Sequence, residues 1–203
     1  MIIEIAVFNI EAAIAAYRAG AQRIELCSAP AEGGLTPSAA TMRLARKHVK
    51  IPIHVMIRPR EGDFCYSDRE FETMLLDIAA AKMAGMDGIV AGVLNPDGTV
   101  DEKRTAILVD AAAPMNVTFH RAFDMAMDLP AAMESIIYAG CSRILTSGGQ
   151  QTAPQGLDMI SQLVKSAGDR ITIMPGSGVN SGNIKHIADV TGAKEIHLSA
   201  RSF

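Results

Sequence analysis

Eight short stretches of this 203-residue chain carry strand-type patterning, with apolar residues alternating with polar ones or running unbroken. The second sets the design. A helix ends at Gly20, and in Arg23-Ile24-Glu25-Leu26-Cys27 the apolar Ile24 and Leu26 face one way while Glu25 and Cys27 face the other. The design returns at Gly85 with Ile89, Gly140 with Ile144 and Gly192 with Ile196. In each, a glycine suited to a left-handed helix cap sits four residues before the isoleucine of an apolar strand. These glycines are 65, 55 and 52 residues apart, room for two strand–helix units of roughly 27 residues each. The intervening strands are residues 2–7, 53–58, 117–120 and 171–174. Eight strands alternating with helices predict a single-domain (β/α)₈ TIM barrel spanning 1–203, with a doubly wound open sheet as the alternative.

Local signals place the helix starts. Asn9 caps a first helix running to Gly20, with Ile10, Ile14 and Tyr17 on one face. Thr36 is expected to cap the second, with Pro37 in its first turn. Ser67 and Glu70 form a capping box for the third, and Asn180 or Ser181 is expected to cap the seventh. The sequence stops soon after the eighth strand, so the eighth helix is expected to be absent or truncated.

The strand alternation then assigns faces. Ile3/Ile5, Ile24/Leu26, Ile53/Val55/Ile57, Val117/Phe119, Ile171/Ile173 and Ile196/Leu198 are the apolar sets that face the helices. The opposite parity faces the barrel axis and holds Glu4, Glu25 with Cys27, His54 with Arg58, Thr118 with His120, and Glu195 with His197. A barrel lumen is normally filled by branched aliphatics, and buried charge is costly unless paired. An ion-paired network opening on the C-terminal rim is therefore expected, with Glu195, at the start of its strand, as a structural member. Arg58 and Arg121 are candidates to clamp an anion. Glu25, His120, Asp124 and His197 are candidates to transfer protons. The loops Ser147-Gly148-Gly149 and Gly176-Ser177-Gly178 follow strands 6 and 7 and could bring backbone N–H groups to that anion.

Composition narrows the classes. A net charge of −3 and 4% aromatics without Trp give no reason to expect a nucleic-acid or anionic-membrane partner. No run approaches 18 apolar residues, and the N-terminus runs directly into strand 1. Three cysteines without framework spacing fit a reducing cytoplasm. No dinucleotide fingerprint or lumen-parity lysine is present, so no organic cofactor is expected.

Several stretches together resemble the CutC family, named for copper homeostasis. They are residues 23–28, Glu32-Gly33-Gly34-Leu35-Thr36-Pro37-Ser38, Val55-Met56-Ile57-Arg58-Pro59-Arg60 with Gly62-Asp63-Phe64, and Tyr66-Ser67-Asp68. To these are added residues 117–124, 144–149 and 173–176, and Ser199-Ala200-Arg201. The resemblance implies a cytoplasmic barrel that self-associates as a homodimer or larger homo-oligomer, takes part in copper handling and binds Cu(I). In family members credited with Cu(I) binding, a strand-1 cysteine pairs with the strand-2 cysteine. Here the second is Cys27 and the first is replaced by Ala6. Cu(I) prefers at least two soft ligands. Cys65, in the loop after strand 3, is a candidate substitute, with Met56 and His54 as further ones, whereas Cys141 lies on the opposite face. Two readings follow: a Cu(I)-binding copper-homeostasis protein, and a barrel enzyme of isomerase or lyase type acting on a small anionic or phosphorylated substrate.

Overall fold

The computed structural model describes residues 1–199; the Ala200 and Arg201 of the Ser199-Ala200-Arg201 match lie outside the described residues. Strands β1 (Ile2–Val7), β2 (Arg23–Leu26), β3 (Ile53–Met56), β4 (Gly88–Ala91), β5 (Asn116–Phe119), β6 (Arg143–Thr146), β7 (Thr172–Pro175) and β8 (Glu195–Ser199) are all parallel. Helices α1 (Ile10–Arg18), α2 (Ala39–His48), α3 (Asp68–Met83), α4 (Glu102–Ala112), α5 (Leu129–Tyr138), α6 (Leu157–Ala167) and α7 (Ile184–Thr191) join them. The strand order is β7-β6-β5-β4-β3-β2-β1-β8, and the edge strands β7 and β8 lie beside one another. The expected TIM-type barrel is therefore nearly closed, its last seam made by packing rather than by a backbone ladder.

The repeated glycines do what their spacing predicts. Gly20, Gly85 and Gly140 have φ of 89°, 73° and 89°. Each donates to a carbonyl three residues back, and the next residue donates five back (Ala21 to Ala16, Met86 to Ala81, Cys141 to Ile136). This is the Schellman closure of α1, α3 and α5. It also explains Cys141, buried as the apolar residue of its closure.

Asn9 and the Ser67–Glu70 capping box start α1 and α3 as expected. Two caps move. Thr36 does not cap α2: its Oγ1 accepts from the Arg58 N–H at 2.9 Å, tying the loop to the end of β3, and Ser38 caps the helix through Thr41 N–H. Neither Asn180 nor Ser181 caps α7, which begins after Asn183. Asn180 and Asn183 instead bond each other within the preceding loop.

The apolar strand faces form the core between sheet and helices: Ile24, Leu26, Ile53, Val55, Phe119 and Ile196 are all essentially inaccessible. Ile3, Ile5 and Leu198 on β1 and β8 have the same parity but are only half-buried. The seven helices among the described residues leave that stretch of sheet less covered, since none follows β8.

Inside the barrel the chain buries charge. Glu195 accepts from Arg143 Nε at 2.6 Å and Nη2 at 3.2 Å, and Arg23 Nη2 donates to the same carboxylate. Arg23 Nε donates to Glu4. Removing one member of a buried ion pair strands the other, at about 3–5 kcal/mol. Glu195→Gln strands Arg143 and takes one of the two carboxylates from Arg23, so a loss of that order is expected in urea unfolding. Lys185→Ala, which breaks the exposed pair with Asp189 on α7, should leave the midpoint unchanged.

Candidate active site

Above the Arg143–Glu195–Arg23–Glu4 line, the network continues toward the C-terminal mouth. His197 Nδ1 lies 2.8 Å from Glu4 Oε1, and its Nε2 lies 3.7 Å from Glu25 Oε2. Glu25 Oε2 also accepts from the Cys27 thiol at 3.5 Å. Register places these groups in step, since Glu4 pairs with Arg23 on β2 and His197 on β8, and Glu25 pairs with His54 on β3. The expected inward set of Glu4, Glu25, His54, Thr118, Glu195 and His197 is thus brought together, every member buried. Arg23 and Arg143 were missed. They share the inward parity, and the signal for them was charge: three inward carboxyls need more cationic partners than Arg58 at the rim.

Protonation follows from this geometry. Burial raises the Glu4 carboxyl, but the His197 hydrogen bond and the charges of His197, Arg23 and His54 overcome it and hold Glu4 far below the usual range. Burial pushes Glu25 up, and the neighbouring Glu4 charge adds to it against the pull of His197. Burial opposes an imidazolium at His197, yet the flanking Glu25 and Glu4 carboxylates raise it above 6.5. At His54 burial, helped by the Arg23 and Arg143 charges, outweighs the pull of Glu4 Oε2 3.9 Å away and drops the ring to about 4. His120 falls to about 3, through burial and the nearby Arg58 cation. One imidazolium between two carboxylates, beside two neutral imidazoles, is a proton-handling arrangement.

The network opens into a pocket of about 470 Å³ at the strand C-termini, lined by Glu25, Arg58, His120, Arg121, Asp124 and His197 among others. All six candidate catalytic residues therefore border one cavity. Phe64 packs there too, its ring centroid 4.9 Å from that of His120 and 5.0 Å from the Arg58 guanidinium carbon. Ser177 and Gly178, at φ of 74° and 68°, line the same pocket. The β6 loop is different. Asp124 accepts from Ser147 N–H, Ser147 Oγ, Gly149 N–H and Thr146 Oγ1, and Gly148 N–H donates to Thr146 Oγ1. The expectation that Ser147, Gly148 and Gly149 offer amides to an anion is corrected: the Asp124 carboxylate takes the Ser147 and Gly149 N–H groups, and the Thr146 hydroxyl takes that of Gly148. Gly176 N–H is likewise taken, by Thr146 O. Asp124 also pairs with Arg121 Nε at 2.8 Å, which makes it an organiser of the rim.

With this geometry in hand, the model of the CutC family matches residues 1–202. The chain belongs to the CutC family. It is 48% identical over 199 residues to a family protein CutC of Mesorhizobium japonicum, covering 98% of this chain and 77% of the relative. It is 47% identical over 201 residues to the copper homeostasis protein cutC homolog of Homo sapiens, covering 99% and 74%. The crystal structure of a CutC protein from Streptococcus agalactiae superposes with a TM-score of 0.93 at 32% identity, covering 98% of both chains.

The CutC thiols are separated by the sheet. Cys27, 1% exposed, sits in a small lumen cluster with Met56 and Val90, against which Phe8 packs. A Cβ on Gly34 would lie 3.3 Å from Cys27 Sγ and 3.4 Å from Met56 Cε, so both sulfur side chains reach one spot. Cys65 packs against the outer core instead, and burial raises its thiol pKa. Cys65 thus packs with the large core and not with the Cys27 cluster. One oxygen or nitrogen from each of Glu4, Glu25 and His197 lies within 4.8 Å of the others, a donor set for a hard or borderline divalent cation rather than Cu(I). Its Glu4 already holds Arg23 and His197.

Histidine NMR checks the protonation pattern. The His197 ring should titrate above 6.5, while His54 and His120 stay neutral down to about 4 and about 3. The raised His197 stabilises the fold below pH 6.5, and that part is lost as pH rises through its folded value. Glu4 and Glu195, both lowered, stabilise above pH 4.5, and their part is lost on acidification through their lowered values. A pH series of thermal melts should therefore fall away at both ends.

Proposed function

We propose that this CutC-family chain is an enzyme of acid–base chemistry, acting in the barrel mouth on a small anionic, phosphorylated substrate. The observation that carries the reading is the buried Glu4–His197–Glu25 line ending at the wall of a cation-rimmed pocket. Glu4 holds His197 in orientation, and the ring, raised by both carboxylates, sits beside a carboxyl whose proton affinity burial has also raised. Shifts in this direction suit groups that pass a proton to and from carbon or oxygen. Arg121, fixed by Asp124, and the Ser177-Gly178 turn supply the anion-facing side of the rim. The reading places the protein in the cytoplasm, where three unbridged cysteines are stable, and allows a homo-oligomer whose mouths face solvent.

A second reading, Cu(I) binding in copper homeostasis, is favoured by the convergence of Cys27 and Met56 on the space beside Gly34. A thiolate with a thioether suits Cu(I). Cys65 has no part in this version, and Ala6 leaves the site one thiol short.

The two readings separate cleanly. A thermal-shift screen of phosphorylated metabolites should stabilise the wild type, and Arg121→Ala should lose at least about tenfold in affinity for the stabilising compound. Glu25→Gln should keep binding but lose hydrogen–deuterium exchange into that compound, followed by proton NMR. No stabilising anion in the screen sinks the enzyme reading. In parallel, anaerobic competition against a Cu(I) chelator should show whether wild type retains one equivalent that Cys27→Ala loses and Cys65→Ala keeps. Copper retained by Cys27→Ala removes the second reading.

A further inference from the structure

Three buried polar atoms without a hydrogen-bond partner belong to residues lining the one pocket: Glu25 Oε1, Arg58 Nε and His120 Nε2. Buried polar atoms are rarely left alone, and where they are, a function or an absent ligand is the usual reason. These three form a set: one acceptor and two donors.

The donors are fixed. His120 Nδ1 accepts from the Ala122 N–H at 3.2 Å, so the neutral ring carries its proton on Nε2. A Cβ on Gly92 would lie 2.6 Å from His120 Nδ1, so only glycine there leaves room for this ring position. The Arg58 guanidinium is held by three backbone carbonyls: Nη1 donates to Glu32 O at 2.6 Å and Gly34 O at 3.3 Å, and Nη2 to Gly62 O at 3.1 Å. Those bonds take both Nη1 hydrogens and one of the two on Nη2, and the Tyr66 hydroxyl draws on the same guanidinium, while Nε has no partner. Phe64 lies against both groups, 4.9 Å from His120 and 5.0 Å from the guanidinium carbon, and sets them on one wall.

We propose that this wall is an enolate-binding site: His120 Nε2–H and Arg58 Nε–H hold the oxygen of a substrate carbonyl while Glu25 takes the proton from the adjacent carbon. The inference rests on the acid–base reading above and names its substrate class, a small phosphorylated aldehyde or ketone. In the step, the C–H bond breaks and its proton goes to the Glu25 carboxylate. The C–H electron pair forms the carbon–carbon double bond, and the carbonyl π pair moves onto oxygen between the two donors. The substrate carries a hydroxyl on the carbon that loses its proton. The O–H proton passes to the former carbonyl oxygen, and the hydroxyl-bearing carbon becomes the new carbonyl. Glu25 returns its proton to the old carbonyl carbon, which completes an isomerisation with no oxidant or reductant. A neutral imidazole suits the task, because its N–H strengthens on a developing oxyanion without delivering its proton outright.

The test compares two probes by isothermal titration calorimetry on the full chain: inorganic phosphate, and 2-phosphoglycolate, whose planar carboxylate resembles an enediolate. Wild type should prefer 2-phosphoglycolate by on the order of 100-fold, and the His120 Nε2–H proton should move downfield with that probe alone. His120→Phe should bring the preference to within about threefold, and His120→Gln, whose amide N–H can reach the same region, should restore part of it. Equal affinities in wild type, or a preference that survives His120→Phe, overturns the enolate site while leaving the anionic pocket standing. If neither probe binds wild type, the anionic reading itself fails and takes this inference with it. The histidine signal is read on unmutated protein, so a poorly folding variant does not decide the matter.

Discussion

The barrel depends on a chain of buried charges that runs from Arg143 on β6 through Glu195, Arg23, Glu4 and His197 to Glu25. Among the described residues the backbone ladder runs from β7 round to β8 and does not pair those two strands. Glu195 on β8 reaches across the lumen to β6 and β2, and His197 reaches β1 and β2. The side chains thus cross-link the strands around the open seam from inside. Three carboxyls face two guanidiniums and one imidazolium, which makes the burial tolerable. A lumen packed with aliphatics would hold as well, but it would carry no proton line to the mouth.

Space for this polar lumen comes from β4. A Cβ on Gly88 would lie 2.5 Å from His54 Cδ2, and one on Gly92 would lie 2.6 Å from His120 Nδ1. The strand thus has no side chain where its neighbours put imidazoles, and each ring occupies the vacancy. Burial lowers both rings, whereas His197 at similar depth is raised because two carboxylates flank it. The same residue type takes opposite states in one lumen, and only the partners differ.

The loops carry a division of labour. The β6 loop wraps its amides around Asp124 and so locks Arg121 at the rim, whereas the β7 turn presents Ser177 and Gly178 to the pocket. The family name points to copper, while most of the chemistry at the mouth is nitrogen and oxygen. The inward thiol sits in the recess where Cys27 meets Met56. Both features sit at the strand C-termini, where barrel folds place their sites.

Much was legible from the chain alone. Period-2 alternation set which residues face inward, because a strand cannot turn Glu25 outward without burying it among helices in place of Leu26. Glycine spacing marked the helix ends, since a positive φ favours that residue. Alternation says which side a residue takes but not what it meets across the barrel, so Arg143 with Glu195, 52 positions apart, came only from closure. Tertiary structure likewise turned the β6 amides onto Asp124, put a sheet between Cys27 and Cys65, moved the α2 cap from Thr36 to Ser38, and left His120 Nε2 and Arg58 Nε without partners. Sequence determined the faces and the punctuation of this fold, because those depend on neighbours a few bonds away. Which groups are paired, and which are left without a partner, depends on contacts between distant strands, and only the closed barrel decided that.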